Sequence, residues 1–291
     1  MAYNYAILAV LCWSTIGTAT KLTLDYLSFI QLLLFTSFIA IIVLFLLLLV
    51  LGMLPSLRNT TRNDILRSAA YGFLNPFAYY LVLFKAYDVL SAQEAVVLNY
   101  TWPIALVLLS IPLLHQKIGF KSIAALFISF FGIIIVVTGG SMKSFGMSDP
   151  LGVALALGSS IIWGLYWIFN LKDKRKEIPK LMINFIFGFI YILILALISG
   201  DLQHIPVEGI IGASYIGIFE MALAFTLWLT ALRLAPTTAK VSNLIYISPF
   251  LSLIFVSIFV GEKIMITSWI GLVFIVGGIV LQQISAKTKA A

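Results

Sequence analysis

The chain has 291 residues, of which 62% are hydrophobic and 10% charged, with a net charge of +7 and a pI near 9.4. A mean hydropathy of +1.11 lies far outside the range of soluble domains. This excludes an ordinary water-soluble enzyme or nucleic-acid-binding module, despite the basic balance. With a single cysteine, Cys12, no disulfide framework can form within the chain.

Apolar runs follow one another down the sequence. They cover residues 5–24, 27–54, 65–86, 92–114, 120–138, 151–171, 181–199, 210–232, 241–260 and 264–284, each bounded by charges, Gly or Pro. About 20 apolar residues cross roughly 30 Å of hydrocarbon, and backbone groups there must be satisfied within the segment, so each run is expected to be a helix. The expected fold class is an all-α polytopic membrane protein of ten transmembrane helices. The first run lacks a basic leader and a small-residue cleavage pattern and is read as a retained helix. Cys12, inside it beside Trp13, is read as a packing thiol.

The cations sort by connection. If the N-terminus is cytoplasmic, fourteen of them fall inside: Arg58, Arg62, Arg67, Lys117, Lys121, Lys172, Lys174, Arg175, Lys176, Lys180, Arg233, Lys240, Lys287 and Lys289. Only four, Lys21, Lys85, Lys143 and Lys263, fall outside. This bias places both termini in the cytoplasm of a cell with the chain in its inner membrane, and it assigns the basic excess to topology, with no nucleic-acid partner.

An internal repeat organises the chain. A shift of 146 residues lays Tyr100-Thr101-Trp102-Pro103 on Tyr246-Ile247-Ser248-Pro249, Gln116-Lys117-Ile118 on Glu262-Lys263-Ile264, and Gly132 on Gly278. A shift of 145 pairs Gly72 with Gly217, Asn75 with Glu220 and Ala86 with Ala231, and Trp13 matches Trp163 in depth. Five helices per half is an odd number, so the expectation is two inverted halves, residues 1–140 and 150–287, around a shared central cavity.

At these motifs the chain resembles the drug/metabolite transporter superfamily, and within it the ten-helix EamA-type permeases, over essentially its whole length. The residues that carry the resemblance are Trp13-Ser14-Thr15, the Pro103 and Pro249 helices, and Gly261-Glu262-Lys263 after the ninth span. Asn99-Tyr100-Thr101-Trp102-Pro103 and Ile162-Trp163-Gly164-Leu165-Tyr166 look like segments of the aromatic amino-acid exporter branch. The resemblance implies a basket in which helices one, three, four, six, eight and nine surround the cavity, with five and ten as outer packing or dimer elements. Glu220, in the eighth span, departs from the exporter branch.

Polar groups at mid-span are the candidates for function, because they are costly in hydrocarbon. Glu220 is the acid at the centre of a span, read as a proton-coupling group or the counter-charge for an amine; a protonated, hydrogen-bonded structural carboxyl is the competing role. Trp163, Tyr166, Trp167 and Asn170 recur at i, i+3, i+4, i+7 and share one helix face. With Trp13, Trp102 and Trp228 they can sandwich a ring or hold an organic cation, against the alternative of ordinary packing. Asn75 with Tyr79, Asn99 with Trp102, and Asn243 with Tyr246 share faces at i, i+4 or i, i+3, fit either to orient a zwitterion or to stitch helices together. Pro76, Pro103 and Pro249 interrupt three helices and are candidate gating kinks. The expected cavity lining is Trp13, Asn75, Tyr79, Asn99, Trp102, Trp163, Trp167, Glu220, Asn243 and Tyr246.

Enzyme chemistry finds no support. His115 and His204 fall at span ends on opposite sides, so they form no common metal site, and no nucleophile elbow or phosphate-binding glycine loop is present. No cofactor is expected. The expectation is therefore a secondary transporter of small organic solutes, first an exporter of amino acids or related metabolites, alternatively a carrier of organic cations or amines. A channel or membrane-embedded enzyme is the remaining class. Expected partners are the solute, membrane lipid and a proton as candidate coupling ion, in a monomer or homodimer.

Overall fold

The computed structural model describes residues 1–90, 92–138, 149–260 and 266–287, and the regular structure there is entirely helical. The Gly261-Glu262-Lys263 motif lies outside these described residues. Helices α1 (Ala2–Leu24) and α2 (Phe29–Val50) are joined by a short turn in which Ser28 and Gln31 form a capping box. A 3-10 turn, Leu54–Asn59, leads into α3 (Arg62–Gly72), capped reciprocally by Thr61 and Asp64. A π-helical turn, Phe73–Ala78, connects α3 to α4 (Tyr79–Val89). Then follow α5 (Ala92–Asn99), α6 (Trp102–Leu114) and α7 (Phe120–Thr138).

The second half runs through α8 (Pro150–Lys172), α9 (Glu177–Ser199) and α10 (Val207–Ile216). A second π-helical turn, Gly217–Ala224, leads to α11 (Phe225–Leu234); α12 (Ala239–Ser242), a 3-10 turn (Asn243–Ile247), α13 (Ser248–Val260) and α14 (Ile266–Lys287) complete the chain.

Among the described residues seven helices are long and apolar enough to cross a membrane: Ala2–Leu24, Phe29–Val50, Val97–Leu114, Phe120–Thr138, Pro150–Lys172, Glu177–Ser199 and Val207–Leu234. The other apolar runs of the sequence also fall on helix over their described residues, but in shorter or interrupted pieces. The cause in residues 62–89 is local. Asn75 takes an extended backbone (φ −155, ψ 127) ahead of Pro76, which offers no N–H to the preceding turn. Pro103 and Pro249 behave differently from the expectation. Each stands in the first turn of its helix, α6 or α13, where a missing N–H leaves no bond unmade. The breaks lie just before them, at Tyr100–Thr101 and at Asn243–Ile247.

Packing follows a repeating scheme. Helix α6 packs on α8 and α13 on α1; α4 packs on α8 and α11 on α1; α3 packs on α9 and α10 on α2; α7 and α14 pack on each other. Close approach rests on small residues. A Cβ on Gly132 would sit 2.5 Å from the Gly271 carbonyl oxygen, and one on Gly278 would overlap the Ser129 hydroxyl. Ser129 Oγ donates to the Ile275 carbonyl at 3.1 Å. The outward faces stay apolar, with Phe131, Leu197, Ile198, Val273 and Phe274 exposed, as a surface solvated by lipid requires.

Candidate functional site

A cavity of about 160 Å³ lies where α1, α4, α6, α8 and the second π-helical turn converge. Trp13, Tyr79, Asn99, Trp102, Trp163 and Glu220, all named from the sequence, line it together with Ile16, Tyr100 and Ile245. At ~30 Å³ per water it holds about five waters, less than the usual ligand pocket of roughly 300 to 1,000 Å³. A larger crevice of about 760 Å³ along α3 and α9 carries the exposed Phe73. Its wall contains no charged residue, and it fits a lipid chain better than a polar solute.

The aromatic wall is continuous. Trp13, Trp102 and Trp228 contact one another with ring centroids 6.4, 5.4 and 5.7 Å apart. Trp102 meets Trp163 edge-on at 6.1 Å, and Tyr79 lies 4.3 Å from Trp163. These tilted and edge-to-face contacts leave ring faces and edges for a guest or a cation. Trp13 is presented by a helix that satisfies its own hydroxyls. Ser14 Oγ donates to Val10 and Leu11 carbonyls, and Thr15 Oγ1 donates to the Cys12 carbonyl and accepts from Tyr215 Oη.

Glu220 is the charged residue of this lining. Its Oε1 accepts a 2.6 Å hydrogen bond from the Tyr80 hydroxyl, a residue the sequence reading did not single out. Asn99 Nδ2 donates to Tyr79 Oη and to Ser159 Oγ, both at 3.3 Å. The neighbouring Ser160 Oγ bonds the carbonyl of Asn99 (2.9 Å) at the break before α6 and reaches that of Leu98 (3.2 Å), which Thr101 also holds. Helix α8 thus holds the broken end of α5 and fixes Asn99 against the cavity.

Four expected lining residues lie elsewhere. Asn75 is fully buried, and neither of its amide atoms has a hydrogen-bond partner. It does not share a face with Tyr79, because its extended backbone breaks the helix that the i, i+4 spacing assumed. Trp167 is fully buried behind Trp163 at 5.5 Å, packed on Phe225. Asn243 and Tyr246 are buried within the 3-10 turn, with Tyr246 beside Phe130 of α7. Of the three proline positions, Pro76 alone lies within a distorted turn. His115 and His204 sit at positions with positive φ in connections, and no group of three or more potential metal ligands occurs among the described residues.

Below the cavity toward one end of the bundle, charged residues gather. Arg175 binds Asp173 through two nitrogens, with the shorter contact at 2.6 Å, and donates to Ser68 Oγ at 3.0 Å. Arg233 pairs with Glu177 at 2.9 Å and donates to the Asp173 carbonyl at 2.7 Å. Lys180, fully buried, donates to the carbonyls of Asn170 and Asp173. Partial burial opposes ionisation of Asp173, but the hydrogen bonds from Arg175 outweigh it and hold the carboxyl below its ordinary range.

Comparison with known proteins agrees with this architecture. The family model described as the EamA-like transporter family matches residues 1–138 and 150–282. An uncharacterized transporter of Clostridium kluyveri is 28% identical, the alignment covering 78% of this chain and 75% of the relative. The uncharacterized transporter YetK of Bacillus subtilis is 23% identical over 79% of this chain and 72% of its own length. A solved crystal structure superimposes with a TM-score of 0.81 over 100% of this chain and 99% of its own, at 21% identity, and so shares the fold. With several helices long and apolar enough to cross a membrane among the described residues and the family model matching both halves, the chain belongs to the EamA-like transporter family.

Proposed function

We propose that this protein is a secondary transporter that moves small organic solutes bearing an ammonium group by alternating access, with Glu220 as their counter-charge or as the coupling group. The observation that carries the reading is a carboxyl set in an aromatic wall and oriented by a phenol, with no basic side chain lining it among the described residues. An ammonium group meets Glu220 and the faces of Trp13, Trp102 and Trp163, the arrangement that cation-π attraction favours.

Amino acids and related metabolites are the first substrate class. The first turn of α6 opens beside the cavity at Trp102, so its positive end is available to a substrate carboxylate, as broken helices provide in inverted-repeat carriers. Organic cations and amines are the second, favoured by Glu220 being the sole charged side chain of the lining among the described residues. Among the described residues no lysine or arginine lines the cavity to support transport of phosphate compounds.

Alternating access is supported by the packing scheme. Each interhelical contact named above has a counterpart five helical runs away, and the π-helical turns at residues 73–78 and 217–224 stand at the repeat offset read from the sequence. The reading is of ten spans in two inverted halves, residues 1–140 and 150–287, with both termini in the cytoplasm and the chain in the inner membrane. The proton is the proposed coupling ion.

Counterflow in proteoliposomes tests the assignment. Labelled solute is expected to accumulate transiently when an unlabelled amino acid is trapped inside. Accumulation with trapped monoamines and none with amino acids would select the cation reading. Equal flux with nothing trapped would indicate a channel.

A further inference from the structure

Between the cavity and the charged end of the bundle lies a second group of polar side chains for which the fold supplies too few partners. By strict hydrogen-bond geometry both amide atoms of Asn75, the Tyr166 hydroxyl and Asn184 Oδ1 are left unpaired, with only loose approaches of the Tyr166 hydroxyl to the three amides, and Asn75, Tyr166, Asn170 and Asn184 are all fully buried. They stand together. Asn184 Nδ2 donates to Asn170 Oδ1 at 3.0 Å, and the Tyr166 hydroxyl lies among the amides of Asn75, Asn170 and Asn184. Helix α9 approaches this point closely, since a Cβ on Gly188 would overlap the Pro76 ring and one on Gly72 would meet the Asn184 carbonyl. Buried donors and acceptors without partners are costly, and such groups in a native fold call for a reason.

Depth along the helices supplies one. Residue 68 to 75, 173 to 166 and 177 to 184 are each seven positions, two helical turns or about 10 Å, from the charged knot formed by Ser68, Asp173, Arg175 and Glu177. Glu220 lies thirteen positions from Arg233 (233 − 220), about 20 Å along its own run. The amide cluster therefore occupies the middle of a line from Glu220 to the membrane face that carries residues 172–177. Asn75 also occupies in the first half the place that Glu220 occupies in the second, and the two π-helical turns coincide there. In this conformation Glu220 faces the cavity and Asn75 is sealed, with the rings of Trp167, Phe185 and Phe225 packed beside Tyr166 and Trp163.

We propose that Asn75, Tyr166, Asn170 and Asn184 form a second polar site that receives water and the uncharged hydrogen-bonding groups of the solute, and that it opens toward the face of residues 172–177 when the knot of Arg175, Arg233 and Glu177 parts. The inference rests on the alternating-access reading above. The unpartnered amides are then groups that a solute path wets in the opposite-facing state, and the knot is the closure over them. Arg233 ties the start of α9 to the carbonyl end of α8 from a third run, so its release frees three runs at once.

The test is sided thiol labelling in membrane vesicles, which needs no knowledge of the solute. In a Cys12→Ser background, Asn184→Cys and, separately, Asn75→Cys are exposed to a membrane-impermeant maleimide from either face. Labelling is expected from the face of residues 172–177 alone. Adding Glu177→Gln with Arg233→Gln is expected to speed it about tenfold, the effect of losing one charge-assisted hydrogen bond. Labelling from the opposite face, or an unchanged rate in both thiol variants when the knot is removed, overturns the proposal. Absence of counterflow with labelling intact sinks the transporter reading instead.

Discussion

The Tyr80 hydroxyl donates to Glu220 Oε1 at 2.6 Å, joining the first-half and second-half runs that carry the two π-helical turns. The bond ties the carboxyl of a residue that lines the cavity to a phenol of the first half. Tyr80→Phe and Glu220→Gln are therefore expected to be strongly non-additive in solute binding. A double-mutant cycle, read by thermal shift against a bound substrate, should give a coupling energy of about 1 to 2 kcal/mol. Additivity within about 0.3 kcal/mol would separate Tyr80 from the site.

Ser160 supports the break before α6 by bonding the Asn99 carbonyl, while the Leu98 carbonyl it also reaches is held by Thr101. Ser160→Ala is expected to lower stability by roughly 1 to 3 kcal/mol, the cost of leaving one buried acceptor unpaired. Thermal melting of the detergent-solubilised protein reports it. An unchanged melting temperature would show that the carbonyl finds another partner.

The α7 and α14 pair depends on backbone contact at Gly132 and Gly271, where a Cβ would meet a carbonyl oxygen at 2.5 or 2.7 Å. Gly271→Ala is expected to cost about 1 to 3 kcal/mol through overpacking. Gly277, with nothing within 4 Å of its Cβ position, is the control, and Gly277→Ala should fall within about 0.5 kcal/mol of the parent. Equal melting of the two variants would contradict the close packing.

Asp173 gives the acid limb a sign. Its folded carboxyl titrates below the ordinary value, so its contribution is fully present above about pH 4 and is lost as pH falls through the depressed folded value. Melting temperature should fall below about pH 4, and less steeply in Asp173→Asn, which starts lower at neutral pH. Parallel curves for the two proteins would remove Asp173 from the account.

Much of the architecture was legible because hydrocarbon imposes it. A run of about twenty apolar residues must be helical, which located the helical runs without any packing information. Glu220 was legible for the same reason, as an acid costly at mid-span, and the tryptophans as large rings at one depth. Rotation about each helix axis was not legible. Asn75 and Tyr79 share a face in an ideal helix but not across the extended Asn75, and Asn243 and Tyr246 turn away from the cavity in a 3-10 turn whose period differs from 3.6. Tyr80 was missed because Tyr79 beside it satisfied the expected spacing. The knot brings Arg233 of α11 onto Arg175 and Glu177 at the α8–α9 connection, more than fifty residues away in sequence, a relation that spacing within one segment does not encode.

The central claim is that Glu220 acts inside the cavity, as the counter-charge of the solute or as the coupling group. The most direct test is solute counterflow by wild-type and Glu220→Gln protein in proteoliposomes at several pH values, with binding measured in parallel. As a counter-charge, Glu220 predicts binding weaker by about 1.5 to 3 kcal/mol in the Gln variant. As the coupling group, it predicts near-normal binding with the pH dependence of transport abolished. Wild-type binding together with wild-type pH-dependent counterflow in the Gln variant would contradict both roles and leave Glu220 a structural partner of Tyr80.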